Sequence, residues 1–305
     1  MLIYIILSTL VFLLIPEIAH AWGPGTHIEI AFSMLEKIAL MAPAVRAIIA
    51  GREEWFVYGN VAADIVVGKK FAGHDNCHNW HIGKEVLKMA RTDRERAAAY
   101  GYLSHLAADT IAHNYYIPFK MAENYKTRVL SHTYWEMRFD IHVSQKVWEK
   151  MMRMIRGNFS PFDDLLEDVL RHVLFSFRTS KTIFSSILAF QRFRQFRRTF
   201  SVYAKRSRFK LDTEEISHYM RLAEGAALEV LSDPDGALCL QSDPTGSYKL
   251  GYAGWLRRQI KKALRDRTVH TKDVELLLAT VKQKLYKGIN EPQILLPNLS
   301  DLRPR

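Results

Sequence analysis

The stretch GYLSHLAADTIAHNYY, residues 101–116, carries His105, Asp109 and His113 at four-residue intervals. SHTYWEMRFD, residues 131–140, carries His132 and Glu136 at the same interval. On a helix each step of four turns the side chain by only about 40°, so each set shares one side. Two helices that present imidazoles and carboxylates inward supply the donor set of a metal site in a helical bundle. The residues around the first set are apolar or small: Leu103, Leu106, Ala107, Ala108, Ile111 and Ala112. Burying an unsatisfied polar group among them would cost on the order of 1–3 kcal/mol. An isolated His-x-x-x-Asp pair reads as a surface pair or a core histidine, but three such groups in an apolar setting point to a cation.

Further donors lie upstream. Asp64 sits among apolar residues in YGNVAADIVVGKK, and His74, His78 and His81 crowd beside Cys77 in GHDNCHNWHIGKE. A cysteine-ligated structural zinc is disfavoured, because the other cysteine, Cys239, is 162 residues away and the spacing matches no finger or ribbon. Two cysteines allow at most one disulfide, so packing or metal must stabilise the chain.

The elements that must position these groups are helices. Asp273 to Lys287 places Val274, Leu277, Leu278, Val281 and Leu285 at helical spacing, with Gly288 as a stop. Ser160-Pro161-Phe162-Asp163 reads as an N-cap with proline at the first helical position, and Asp212-Thr213-Glu214-Glu215 as a capping box. Hairpin signals are scarce, so the expected fold is all-α, a multi-helix bundle with the metal site between helices. Gly236 to Gly254, rich in Gly, Ser, Asp and Pro, reads as the clearest loop.

The amino terminus sets the expected compartment. Leu2 to Ile15 is almost unbroken apolar sequence, followed by Pro16 and the small-x-small triplet Ala19-His20-Ala21. This has the form of a signal peptide covering 1–21, so the protein is expected to be exported, periplasmic or secreted. An uncleaved anchor is the alternative, although the run is short for a span of about 20 residues. Residues 22–305 are then expected to form one helical domain, with the donor motifs in 22–140 and a basic part from about residue 160. Cleavage after Ala21 would leave 43 basic and 31 acidic residues, a net charge of +12 that suits anionic partners. It would also place Trp22 first, in AHAWGPGTHIEIA, with His27 five positions on.

Together these residues resemble the bacterial zinc-dependent phospholipase C family, which shares an all-helical trinuclear zinc fold with zinc single-strand nucleases. The resemblance implies about three zinc ions. It implies that the α-amino nitrogen and carbonyl oxygen of a mature Trp22 chelate one zinc with His27, Asp109 bridging toward a second. Asp64, His78, His105 and Asp109 look like the set of that second ion, with His78 preferred to His81. His113, His132 and Glu136 look like the third set. The spacing from Asp109 to His113 is tighter than in the best-known members and is expected to keep both on one regular helix face. The implied chemistry is zinc-activated water attacking a phosphodiester, with Asp64 as the carboxylate that orients or deprotonates it.

The implied substrate is a phospholipid, and nucleic acid is the alternative. A nuclease needs aromatic platforms for bases, and Trp80, Tyr115, Tyr116, Tyr134 and Trp135 lie near the motifs. QRFRQFRRTF, residues 191–200, and Trp255 with Arg257, Arg258, Lys261 and Lys262 suit an anionic membrane interface. A non-catalytic membrane-binding protein, its helices stapled by metal, is the second class of reading.

Overall fold

A computed structural model describes residues 22–65, 76–126, 132–154, 157–170, 181 and 211–299, without the side chains of His132, Thr133 and Met137. Among the described residues the regular structure is helical and there is no strand, so the fold is all-α as expected. The expected signal peptide 1–21, His74 and the basic stretch 191–200 lie outside the described residues.

The helices are α1 (Pro24–Glu36), α2 (Pro43–Ile49), α3 (Glu53–Ala62), α4 (Trp80–Met89) and α5 (Asp93–Ile111). They continue as α6 (Ile117–Glu123), α7 (His132–Asp140), α8 (Gln145–Met154) and α9 (Ser160–Val169). The last three are α10 (Thr213–Ser232), α11 (Ser247–Arg265) and α12 (Thr271–Lys287). Helix α5 is the axis of the core, with α1, α2, α3, α4 and α10 packed around it. Its start is a capping box: Glu95 N–H donates to Thr92 Oγ1 at 3.2 Å, and Thr92 N–H donates to the Glu95 carboxylate at 2.9 Å. Small residues let its neighbours come close. A Cβ on Gly59 would sit 1.8 Å from the Ala98 carbonyl oxygen, and one on Gly101 would sit 2.0 Å from that of Phe56. Helices α3 and α5 therefore meet backbone to backbone, which brings Asp64, just past the end of α3, to the buried face of α5.

Two expectations need correction. Asp109 and His113 do not share a regular helix: α5 ends at Ile111 and a π-turn, Ala112–Tyr116, follows, with Ile117 N–H bonded to the Ala112 carbonyl. Pro118 supplies a physical reason. It has no N–H for the Asn114 carbonyl, and its ring would crowd that oxygen in a regular α-turn, so the chain widens ahead of it. The Gly236–Gly254 loop is also shorter than its composition suggests, because α11 already begins at Ser247. The buried series Lys249, Ala253, Leu256 and Ile260 has helical period and overrides the glycines.

Gly101→Ala is expected to destabilise the fold by about 3 kcal/mol or more, because backbone cannot yield to the added methyl. Gly225→Ala on α10, where a Cβ meets nothing within 4 Å, should stabilise it by about 0.5–1 kcal/mol. Denaturant unfolding of the two variants checks both signs.

Candidate metal centre

Asp109, on the buried face of α5, is wholly removed from solvent. Its Oδ1 lies 3.2 Å from His27 Nε2 of α1. Its Oδ2 lies 3.2 Å from His78 Nε2 and 3.2 Å from His105 Nε2. Asp64 Oδ1 is 3.3 Å from His78 Nε2 and 3.9 Å from His105 Nε2. The His27 and His105 rings stack with centroids 3.7 Å apart. Two overlapping triads result, His27 with Asp64 and His105, and His78 with His105 and Asp109, each with donor atoms within 4.8 Å of one another.

Protons satisfy this arrangement only in part, through a hydrogen bond between His78 Nε2 and His105 Nε2 at 3.1 Å. His105 Nδ1 is 2.8 Å from the Asn60 carbonyl oxygen, which can only accept, so Nδ1 carries the hydrogen. Burial first, then His27, push the His105 pKa down to about 4 against the pull of Asp109 and Asp64. The ring is therefore neutral at pH 7, and the Nε2 lone pair faces the Asp109 carboxylate. Neither Asp109 oxygen and neither His27 nitrogen has a hydrogen-bond partner. Burial would raise the Asp109 pKa, yet His105, His113 and His27 together hold it well below the usual carboxylate range. At pH 7 the site therefore buries an ionised carboxylate against a neutral imidazole whose Nε2 lone pair faces it. A divalent cation between them would neutralise the carboxylate and take up the lone pair, and the donor set of imidazole nitrogen and carboxylate oxygen suits zinc.

Next to this cluster, His113 Nε2 on the π-turn lies 3.7 Å from Glu136 Oε1 on α7. Burial raises the Glu136 pKa to about 7 in spite of His113, with Asp64 and Asp109 adding to the rise. His132 begins α7 one turn before Glu136, but its side chain lies outside the described part.

Residues 26–176 match the family model described as zinc dependent phospholipase C. This half of the chain belongs to the zinc-dependent phospholipase C family. Searches among curated proteins and solved structures returned no match. The family match takes in every donor named above except Trp22, which precedes it by four residues.

Within the family frame, three residues that sequence reasoning missed hold the donors in place. Asn60, through its carbonyl, orients His105. Asp140, one turn after Glu136 on α7, accepts hydrogen bonds from Gly25 N–H at 3.1 Å, Thr26 N–H at 2.8 Å and Thr26 Oγ1 at 2.7 Å. It thereby caps the first turn of α1, where a carboxylate also meets the positive end of the helix dipole. The spacing His132, Glu136, Asp140 was the available signal, since all three recur at four residues. Pro244, far along the chain, is the third: its carbonyl takes the His113 Nδ1 hydrogen at 2.6 Å. Trp22 is fully buried, its ring stacked on Phe139 of α7 at 5.0 Å and 19°.

Other candidates fall outside the cluster. His81 is exposed on α4, whereas His78 is buried. Both cysteines are free and buried; Cys77 Sγ lies 3.2 Å from His78 Nδ1, on the opposite side of the ring from the donor nitrogen. Tyr115, Tyr116 and Trp135 are core residues rather than exposed platforms.

Asp140→Ala should cost about 3 kcal/mol and weaken metal uptake, read by denaturant titration and zinc analysis. In the metal-free protein, protonation of Glu136 favours folding. That contribution is complete below about 4.5 and is lost as pH climbs through about 7. Metal-free Glu136→Gln should therefore gain stability relative to wild type between pH 5 and 8, and parallel melting curves would refute the assignment.

Proposed function

We propose that this protein is an exported zinc hydrolase of the phospholipase C type, acting on phospholipid phosphodiesters. The observation that carries the reading is the buried meeting of His27, Asp64, His78, His105 and Asp109 in a chain whose residues 26–176 match the zinc-dependent phospholipase C family. Asp64, His78, His105 and Asp109 would hold one zinc, with His27 and the backbone of a mature Trp22 holding a second that Asp109 bridges. His113, His132 and Glu136 would hold a third. Asp109 suits the bridging role because its two oxygens face different partners, His27 on one side and His78 with His105 on the other. When bound, zinc supplies concentrated positive charge and lowers the pKa of a coordinated water to about 7.

The protein's own groups supply the rest. Asp64 has the most solvent-accessible side chain of the central cluster, 10% against 0–3% for its donor partners His78, His105 and Asp109. A carboxylate at the open edge is placed to orient a water and take its proton, which supports Asp64 as the catalytic base. The buried Trp22 ring, beside His27 at 6.3 Å between centroids, would anchor an amino terminus created by cleavage after Ala21.

Phospholipid is favoured over nucleic acid because three of the five candidate aromatic platforms are buried, and Trp80 is tethered by its Nε1–H to the Ser242 carbonyl at 2.8 Å. The exposed face of α11 runs Tyr248, Gly251, Trp255, Arg258, Lys262, Arg265, aromatic at one end and cationic at the other. That order suits peripheral contact with an anionic bilayer. No helix among the described residues is long and apolar enough to cross one.

The test compares protein beginning at Trp22 with protein carrying one extra residue before it, by zinc content and phospholipid turnover. The first should bind more zinc and hydrolyse phospholipid, with chelator abolishing turnover. His105→Ala and Asp109→Ala should each lose at least about 100-fold in kcat/KM. Equal zinc in both preparations would remove Trp22 from the site. Zinc-loaded protein that is stable yet inert toward phospholipid and single-stranded nucleic acid would instead favour a metal-stapled binding protein.

A further inference from the structure

The chain beyond residue 176 lies outside the family match, yet one loop of it touches the metal centre directly. Ser242–Gly246 connects a short 3-10 turn, Leu238–Gln241, to α11. Three consecutive carbonyls of this loop accept hydrogen bonds from side chains flanking the centre. Ser242 O takes Trp80 Nε1–H at 2.8 Å, Asp243 O takes Asn114 Nδ2–H at 2.7 Å, and Pro244 O takes His113 Nδ1–H at 2.6 Å. Asn114 also donates to the Thr110 carbonyl at 3.0 Å, so its amide bridges α5 and the loop across the π-turn.

The approach is close enough to demand glycine. Gly246 has φ +59°, and a Cβ there would fall 2.3 Å from the His113 carbonyl oxygen and 2.5 Å from its Cβ. The loop is itself held in shape: the Asp243 carboxylate accepts from Thr245 N–H at 2.9 Å and Ser247 N–H at 3.2 Å. Leu238 N–H, just before it, donates to Glu229 of α10 at 2.8 Å.

We infer that Ser242–Gly246 is a positioning element of the zinc centre, with Pro244 O holding His113 in the Nδ1–H tautomer so that Nε2 is left as the donor beside Glu136. A carbonyl cannot donate, so this contact excludes the other neutral tautomer. The orientation of a metal-binding imidazole is commonly set by such a partner on its far nitrogen. The C-terminal part of the chain, which brings no metal donor of its own to the described cluster, thereby completes the site. The inference rests on the zinc reading above.

The test uses full-length mature protein with Gly246→Ala, Asn114→Ala and Trp80→Phe, and Gly225→Ala on α10 as control, since a Cβ at Gly225 meets nothing within 4 Å. Zinc affinity is read by competition with a chromophoric chelator, and the visible spectrum is recorded after cobalt substitution. Gly246→Ala and Asn114→Ala should weaken one zinc by about 10–100-fold and change the cobalt spectrum. Trp80→Phe should do so less, and Gly225→Ala should match wild type in zinc affinity and cobalt spectrum. Circular dichroism and melting of the metal-free forms show whether each variant folds. If Gly246→Ala fails to fold, Asn114→Ala decides. Folded Asn114→Ala with wild-type zinc affinity and cobalt spectrum overturns the inference and leaves the zinc reading standing. Wild-type protein that takes up no zinc overturns the zinc reading itself, and the inference with it.

Discussion

A carboxylate with no access to water must be neutralised by something, and Asp109 is such a carboxylate at the centre of this fold. Three imidazole nitrogens approach it at 3.2 Å, from α1, α5 and the segment before α4. The nearest of them in sequence, His105, has its hydrogen committed to Asn60 on the opposite side of the ring. Much of the surrounding architecture is what it takes to bring those nitrogens there. Gly59 on α3 and Gly101 on α5 let the two helices close to backbone contact, and that contact delivers Asp64 and the Asn60 carbonyl together. An electron-rich cluster of this kind is unfavourable by itself and favourable with a cation, so a metal bound here would couple its binding to folding through one set of contacts.

Helix α7 links the two ends of the cluster. Glu136 faces His113, and one turn later Asp140 gathers the first backbone N–H groups of α1. Phe139, between them in sequence, supports the Trp22 ring. The position of the amino-terminal segment is therefore set by the same helix that carries a donor of the proposed third zinc set. Displacing α7 would disturb both regions at once.

The π-turn is the place where local and tertiary demands meet. Pro118 forbids a regular helix at Asn114, and the widened turn displaces His113 from the register of Asp109 toward Glu136 and the Ser242–Gly246 loop. The same local irregularity frees Asn114 to tie that loop to α5.

Much of this was legible in the chain itself. The all-α class, the start of α10 at Asp212 and the donor motifs of residues 101–116 and 131–140 follow from periodicity, capping residues and donor types, which are local properties, whereas His27 was implied by the family resemblance alone. Local signals could not separate His78 from His81, because both sit on one short polar segment and only packing decides that one is buried and the other exposed. They extended a loop across Gly251 and Gly254, where a buried face of α11 holds the helix. They placed His113 on the face of Asp109, because four-residue spacing presumes a regular helix. Asp140, Asn60 and Pro244 act through a carboxylate on a distant helix end or through backbone carbonyls, and a carbonyl looks the same in any sequence. Residue types determined what chemistry the chain could hold. Tertiary structure decided which groups meet, because a metal site depends on distances that only packing between remote segments can set.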